Sequence, residues 1–188
     1  MPGQPDEDHQ LLKKAQQGEA EAFGVLYERH ATAIYRYLLV HLGNHPDAED
    51  LTSEVFLRAW QSLPRYHQRG VPFRAYLFRI AHNAMVDHYR QRCRLDRLSQ
   101  EEDYSSSDNT GSPLQNLSGE SEQLELIKIL AGLRDDYRTV LILRFLSQLS
   151  PAETAVVMHR TPGAVRVLQH RALEALRQSI LGKDASQE

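Results

Sequence analysis

Apolar residues recur every three or four positions along most of this chain, which is the spacing of one face of an α-helix. Four segments of the first half show this pattern, with bounds near 8–17, 20–42, 46–62 and 72–94. Gly18 ends the first segment, and Gly43 to Pro46 separate the second from the third. No segment alternates apolar and polar residues as a half-buried β-strand does. The pattern therefore predicts an all-α protein.

The second half carries two helix-start signals 11 residues apart. Ser150 can cap a first helix in a capping box with Glu153, and Thr161 before Pro162 repeats the cap-and-proline signal. Ala155 is small where two helices must approach closely, and Val165 is apolar where the second helix packs back. This order predicts a helix-turn-helix, whose second helix enters the DNA major groove. Other helices are predicted near 121–132, over 135–146, and to about 181 at the end.

The stretch between the two halves differs in composition from both. Residues 99–121 are rich in serine and acidic side chains and poor in apolar ones, so they cannot offset their own ordering entropy. We interpret this stretch as a flexible acidic linker between two small helical domains. The predicted boundaries are a first domain over 1–95, a linker over 96–121 and a helix-turn-helix domain over 122–188.

Composition narrows the class of protein. The chain has 188 residues, 41% of them hydrophobic, and a single cysteine, Cys93, so a disulfide framework is excluded. No segment resembles a signal peptide or reaches the length of a membrane span. We therefore expect a cytoplasmic protein without direct membrane insertion.

The charge is distributed unevenly, although the formal net charge is only −3. Residues 65–94 hold seven arginines and a single acid, Asp87. Residues 95–122 hold seven acids and a single base, Arg97. In the net charge, the acidic centre thus offsets a locally basic region, and this basic region suits a nucleic-acid surface.

Several motifs resemble a known family. The residues at 48–51, 54–60, 72–83 and 87–88 resemble the first conserved domain of extracytoplasmic-function (ECF) RNA polymerase sigma factors, of the sigma-70 superfamily. Residues 133–177 resemble the second domain of the same family, which carries the helix-turn-helix. The resemblance implies a transcription initiation factor that binds core RNA polymerase and promoter DNA. It further implies no catalytic site, no cofactor and no small-molecule substrate, and in many members an anti-sigma factor holds the protein inactive.

For the −35 promoter element, the helix-turn-helix and the resemblance together indicate the start and exposed face of the last helix. An arginine there can pair bidentately with guanine, and an apolar side chain can meet a thymine methyl. The predicted contacts are Thr161, Gly163, Ala164, Arg166, Val167, His170 and Arg171. His159 stands in the preceding turn, where glycine is common in this family.

For the −10 element, the resemblance implies the loop 63–71, as a holder of a base turned out of the melted strand, and the long helix after it. Arginines bind phosphate, an amide can read a base edge and an aromatic ring can stack on a base. The predicted contacts are Arg65, Tyr66, His67, Gln68, Arg69, Arg74, Tyr76, Arg79, Asn83 and Arg90. Asp87 is expected to orient a neighbouring arginine.

For core polymerase, the resemblance implies the third helical segment. The predicted contacts are Asp50, Glu54, Phe56 and Arg58, and Trp60 is expected to lie in the core. Ser53 replaces a glutamine that is common in the family.

Three alternatives remain at this stage. A conventional helix-turn-helix regulator would need an effector pocket or a dimer interface, and residues 1–94 show neither pattern. A metal-dependent enzyme is suggested only by the nine histidines, which show no converging ligand set. An interaction protein resembling an anti-sigma factor would not need the recognition helix or the basic region.

Overall fold

The structure is a computed structural model that describes residues 5–66, 71–102, 129–130 and 132–184. The described residues form seven α-helices and no strand. In chain order these are α1 Pro5–Gln16, α2 Ala20–Leu42, α3 His45–Ser62, α4 Phe73–Glu102, α5 Asp135–Leu141, α6 Pro151–Val157 and α7 Pro162–Asp184. A 3₁₀ turn, Leu63–Arg65, follows α3, and a π-helix, Ile142–Leu146, continues α5. The prediction of an all-α protein is confirmed.

Helices α1 to α4 form what we call the N-terminal unit. Its core is built from the helical stripes of α2, α3 and α4, which include Leu38, Val55 and Leu77, all fully buried. Side-chain hydrogen bonding defines the start of α3, where Asn44 accepts from the backbone N–H of Asp47. Burying apolar stripes of this kind is the main source of stability for a helical unit of this size.

The short helix α1 is tied to the rest of the N-terminal unit by two polar side chains. Asp8 accepts hydrogen bonds from Arg29 at 2.6 Å and is joined to His30 at 2.9 Å. Burial alone would raise the pKa of Asp8, but the hydrogen bonds and charges of His30 and Arg29 hold that pKa below its usual value. At the other end of α1, Gln16 donates to the carbonyl oxygens of Leu63 and Tyr66. Helix α1 therefore supports the beginning of the 63–71 loop.

Helices α5 to α7 form what we call the C-terminal unit. The π-helix ends where the backbone N–H of Ser147 donates to the carbonyl of Ile142 at 2.8 Å. Arg144 then joins two elements: it donates to the carbonyl of Leu149 and, through Nε, to Oε1 of Gln169 at 2.8 Å. The wider turn thus directs one arginine at α7, the second helix of the helix-turn-helix.

The end of helix α4 differs clearly from its predicted position. Helix α4 continues to Glu102, beyond the predicted end near Arg94, because no glycine or proline interrupts the sequence there. The remainder of the predicted linker, 103–121, and most of the helix predicted near 121–132 lie outside the described residues.

Candidate nucleic-acid interface and polymerase-binding face

The helix-turn-helix has the capping interactions that its sequence predicts. Ser150 and Glu153 form a reciprocal capping box, with distances of 2.7 and 3.2 Å between side-chain oxygens and backbone nitrogens. At the start of α7, Thr161 Oγ1 accepts from the backbone N–H of Ala164 at 3.2 Å. Both helix starts are therefore fixed by local hydrogen bonds, which confirms the predicted helix-turn-helix.

The turn between the two helices depends on a left-handed backbone. His159 has φ of 52°, a conformation that few residues other than glycine adopt without strain. The backbone N–H of Arg160 then returns to the carbonyl of Ala155 at 2.9 Å. Ala155 and Val165 are both buried, so the two helices approach closely where the sequence placed a small and an apolar residue.

The start of α7 presents one continuous exposed surface, which we call the recognition face. Its inward stripe is Val165, Leu168 and Ala172, all buried against α5 and α6. The predicted −35 contacts lie outside this stripe, and every one of them is exposed: Thr161, Gly163, Ala164, Arg166, Val167, His170 and Arg171. The fold therefore leaves the whole predicted set accessible to DNA.

Charge on the recognition face is available for a ligand. Among the described residues, neither Arg166 nor Arg171 has an acidic partner within 4.0 Å. His170 lies 3.6 Å from Glu174 one turn later, and both side chains are exposed. Val167 is 54% exposed and has no structural reason to be apolar there. Two free guanidinium groups beside an exposed valine suit a DNA groove better than a solvated helix face.

The long helix α4 carries part of the predicted −10 set on its surface. The guanidinium of Arg79 lies 5.3 Å from the centre of the Tyr76 ring, Asn83 is exposed, and the Arg90 side chain is mostly exposed. Asp87 lies 3.8 Å from Arg90 and 3.9 Å from Arg58. This placement fits the expectation that Asp87 orients an arginine.

Three other predicted −10 residues point inward in this arrangement. Tyr76 is only 9% exposed and its hydroxyl is hydrogen-bonded to Ser62. Tyr66 is also buried, its ring centre 4.7 Å from that of Tyr76, and its hydroxyl donates to the carbonyl of Val71. Arg74 is half-buried and donates to the carbonyl of Ser147 in the C-terminal unit. Their contact with DNA stays a prediction, and in this arrangement they support the surface from beneath.

The 63–71 loop is described only at its two ends. Arg65 is exposed at the 3₁₀ turn, as a contact with DNA requires. His67, Gln68 and Arg69, the predicted holders of a flipped base, lie outside the described residues. The anchoring of this loop by Gln16 of α1 was not foreseen, because a side chain that bonds carbonyls 47 and 50 residues away leaves no local sequence signal.

The predicted polymerase contacts divide into surface and core. Asp50 is exposed, and Arg58 pairs with Glu54 at 2.6 Å across one helical turn. Phe56, in contrast, is buried, with its ring centre 4.6 Å from that of Tyr27. The neighbouring Leu57 is 56% exposed. Leu57 is not among the contacts predicted from the sequence. Its exposure can be recognised only once the structure shows that the neighbouring Phe56 is buried.

No group of three or more metal-ligating side chains converges anywhere in the part of the chain that the structure describes. Over the same residues, no helix is both long and apolar enough to cross a bilayer.

A helix-turn-helix with a free basic recognition face, preceded by a helical unit with a second basic face, defines a DNA-binding transcription protein. Two family matches specify its kind: sigma-70 region 2 over residues 26–95 and sigma-70 region 4 over residues 123–176. The chain belongs to the ECF RNA polymerase sigma factors of the sigma-70 superfamily. The predicted family is thereby confirmed, and the alternative of a conventional regulator is not favoured.

Named relatives support the same assignment. The chain is 37% identical over 168 residues to the ECF RNA polymerase sigma factor BldN of Streptomyces coelicolor, covering 89% of this chain and 63% of that protein. It is 35% identical over 176 residues to the ECF RNA polymerase sigma factor ShbA of Streptomyces griseus, covering 89% of this chain and 92% of that protein. The chain thus spans less than two thirds of BldN and nearly all of ShbA.

Solved structures show the same architecture. CnrH, solved in complex with the cytosolic domain of CnrY, matches with a TM-score of 0.71 and 28% identity, over 95% of this chain and 99% of that one. The sigma factor RpoE of Bartonella quintana, solved with the anti-sigma factor NepR, has a TM-score of 0.68 and 22% identity, over 84% of this chain and 96% of that one. The second likeness bears on the fold alone.

Proposed function

We propose that this chain directs core RNA polymerase to promoters by reading the −35 element with the recognition face of α7. The observation that carries the proposal is that every predicted −35 residue is exposed. In the described structure, Arg166 and Arg171 also have no acidic partner. A helix whose start is capped and whose inward stripe is packed, with exposed guanidinium groups near that start, can enter the major groove without rearranging.

The N-terminal unit supplies the remaining functions in this proposal. The exposed part of α4, with Arg79, Asn83 and Arg90, contacts the −10 element, and the 63–71 loop holds a base from the melted strand. The surface of α3 binds core polymerase through Asp50, Glu54 and Arg58, together with the exposed Leu57. The protein acts by binding alone, in the cytoplasm where polymerase works, and carries out no catalysis of its own.

An anti-sigma factor is part of the same proposal. CnrH was solved in complex with the cytosolic domain of CnrY, which supports a partner polypeptide for this chain as well. In this proposal the partner covers the polymerase- and DNA-binding faces. Affinity purification of the native protein before induction tests it. A stoichiometric small protein in place of polymerase is the expected result, and recovery of polymerase alone at every stage contradicts it.

Run-off transcription with purified core polymerase and sheared genomic DNA tests the main proposal. We expect new transcript starts that share two upstream motifs at a fixed spacing, and we expect Arg166→Ala to abolish them. One bidentate arginine–guanine contact is worth about 1–3 kcal/mol of discrimination, so −35 affinity should fall by roughly 5- to 150-fold.

The matched control is Arg177→Ala. Arg177 is an exposed arginine on the same helix, 11 residues beyond Arg166, so its removal changes the net charge equally. It should leave the mapped starts unchanged. Equal losses of transcript starts in both variants would show that the effect comes from a non-specific loss of positive charge. Duplex DNA binding without polymerase binding or new starts would instead favour a conventional regulator.

A further inference from the structure

The two helical units do not merely follow one another along the chain; they pack together. Helix α4 of the N-terminal unit contacts α6 of the helix-turn-helix, and α2 contacts the π-helix. At this contact the guanidinium of Arg74, a predicted −10 residue, donates a hydrogen bond to the carbonyl of Ser147. The packed arrangement therefore occupies an arginine that the sequence analysis predicts as a contact of the −10 element.

Two histidines of the N-terminal unit interact electrostatically with side chains of the C-terminal unit. His41 of α2 is only 3% exposed and packs against the Tyr37 ring, with 4.8 Å between ring centres. His82 of α4 is hydrogen-bonded through Nδ1 to the Tyr37 hydroxyl at 2.9 Å. Tyr89 of α4 donates its hydroxyl to the carbonyl of His41. The N-terminal unit thus presents a connected group of imidazoles and phenols, which we call the histidine cluster: Tyr37, His41, His82 and Tyr89.

The C-terminal unit brings positive charge to this cluster. Arg138 of α5 acts electrostatically on His41 and Tyr89, and His159 of the helix-turn-helix turn acts on His82. His41 and His82 also act on one another. Among the described residues, Nε2 of His41 and Nε of Arg138 are buried without hydrogen-bond partners. Within the described part of the chain, every ionisable group that acts on these two histidines is itself a base.

Carboxylates lie near the edge of the cluster but do not neutralise its histidines. Asp135 pairs with Arg138 at 2.5 Å, and its own side chain is 91% exposed. Asp47 acts on Tyr89 and lies near His88 and Arg92, at 3.5 and 3.8 Å. Burial and the neighbouring bases hold the pKa of His41 well below its ordinary value, and they lower that of His82 as well.

We propose that the packed arrangement of the two units is an acid-sensitive clasp: neutral His41 and His82 permit it, and protonation of these histidines separates the units and releases Arg74. The clasp is a property of the free protein, and only its consequence for DNA rests on the proposed function. In this proposal, separation of the two units exposes both imidazoles to water, where they take up protons readily. When the units are packed, a proton added to His41 faces Arg138, and a proton added to His82 faces His159.

The direction of the pH effect follows from the lowered pKa values. A histidine whose pKa is lower in the packed form binds protons more readily in the separated form, so acidification favours separation. The effect begins as the pH falls through the ordinary histidine pKa of about 6.5. Each of the two histidines shifts the packed-to-separated ratio by up to about tenfold per pH unit below that point. At pH 8 both histidines are neutral and the clasp is closed.

Distance measurements on the full chain test the proposal. Cys93 is the only cysteine and is exposed on α4, and Gln178→Cys adds an exposed second site on α7. Spin labels at both sites should give one short distance at pH 8 and a growing population of longer distances at pH 5.5. Far-ultraviolet circular dichroism at each pH checks that the helices persist. Loss of helix without prior separation would overturn the proposal, as would one unchanged distance at both pH values.

Variants separate titration of the cluster from other effects of acid. The double change His41→Gln and His82→Gln should keep the units packed at pH 5.5, because neither side chain can be protonated. The matched control is His45→Gln, whose ring is hydrogen-bonded to Tyr35 within the N-terminal unit, and it should respond to acid as the native chain does. An acid response that survives in the double variant would overturn the proposal.

A second variant tests the electrostatic reason directly. His159→Asp places a carboxylate where His82 now meets a base, and aspartate tolerates the left-handed backbone at that position. Separation should then require a lower pH than in the native chain. An unchanged or higher midpoint would contradict the proposed role of charge across the contact. Because neither polymerase nor promoter is present, these results stand apart from the run-off transcription that tests the proposed function.

Discussion

A left-handed residue makes the turn of the helix-turn-helix possible, and in this chain that residue is His159 rather than glycine. Its φ of 52° lets the chain reverse between α6 and α7 within four residues. Left-handed backbone costs an L-residue about 1 kcal/mol relative to its usual conformations. His159 interacts electrostatically with His82, so this cost accompanies an imidazole that a glycine would not supply.

Gly163 presents the opposite situation at the start of the recognition face. A Cβ at this position would meet no atom within 4 Å, and its φ is not in the left-handed range. Nothing within the described structure therefore requires glycine. A glycine at the beginning of a recognition helix allows its backbone to approach a phosphate closely, which is where helix N-terminal amides bind.

The change Gly163→Ala separates these two demands. We expect the free energy of unfolding to rise by up to about 0.5–1 kcal/mol, because alanine favours helix over glycine, while affinity for a −35 duplex falls. Urea unfolding and fluorescence anisotropy measure the two quantities. Gly24→Ala is the matched control, since a Cβ there also meets nothing, and it should stabilise α2 without changing DNA affinity. Unchanged affinity in Gly163→Ala would show that DNA does not approach this residue.

At the scale of single elements, the connection between the π-helix and α7 determines how the recognition face is presented. Arg144 reaches from the π-helix to the Leu149 carbonyl and to Gln169 on α7. Gln169 is half-buried, one residue before the exposed His170. Arg144 therefore fixes both the turn before α6 and the rotation of α7 about its own axis.

Replacing Arg144 should loosen this connection. Arg144→Ala leaves two acceptors without their charged donor, and such hydrogen bonds are worth about 1.5–3 kcal/mol each, so we expect the C-terminal unit to lose up to about 3–6 kcal/mol of stability. Arg144→Lys, which can keep one of the two bonds, should lose about half as much. Urea unfolding followed by circular dichroism measures both.

The control for this comparison is Arg134→Ala. Arg134 is an exposed arginine of the same unit whose partner Asp136 lies 3.4 Å away at the surface. Exposed pairs of this kind contribute about 0–1 kcal/mol, so the variant should unfold almost as the native chain does. A loss as large as that of Arg144→Ala would mean that charge alone, and not the two hydrogen bonds, accounts for the effect.

Helix positions were predictable from sequence because each element carries its own local signals. Proline and capping residues mark the starts of α3, α6 and α7, and Gly18 and Gly43 mark two ends. The recognition face was predictable for the same reason, since one helical stripe separates buried from exposed residues. The inward turn of Tyr66, Tyr76 and Phe56 was not, because an aromatic residue suits a core and a nucleic-acid surface equally well. Only the packing of α1 to α4 decides between the two.

At the scale of the whole molecule, the functional faces lie on different elements and can be tested separately. The recognition face belongs to α7, the proposed −10 surface to α4 and the proposed polymerase surface to α3. Contact between the two units takes place through α2, α4, α6 and the π-helix, and leaves the recognition face exposed. A change on one face should therefore affect one binding event.

Leu57 provides the sharpest test of this separation. It is 56% exposed on α3, beside Arg58 and its partner Glu54, so Leu57→Asp removes little buried area and should leave the fold intact. An aspartate placed in an apolar contact costs several kcal/mol, so we expect at least a tenfold loss of affinity for core polymerase, measured by biolayer interferometry. Affinity for a −35 duplex should not fall, because α7 is untouched.

The control is Leu173→Asp, which makes the same change at an exposed leucine of α7, 40% exposed and away from α3. It should bind core polymerase more tightly than Leu57→Asp does. Equal loss in both variants would show that added negative charge, and not the position on α3, weakens the complex. If Leu57→Asp binds core polymerase with native affinity, the polymerase-binding surface does not include this part of α3. The proposed contacts Asp50, Glu54 and Arg58 would then lose their support as well.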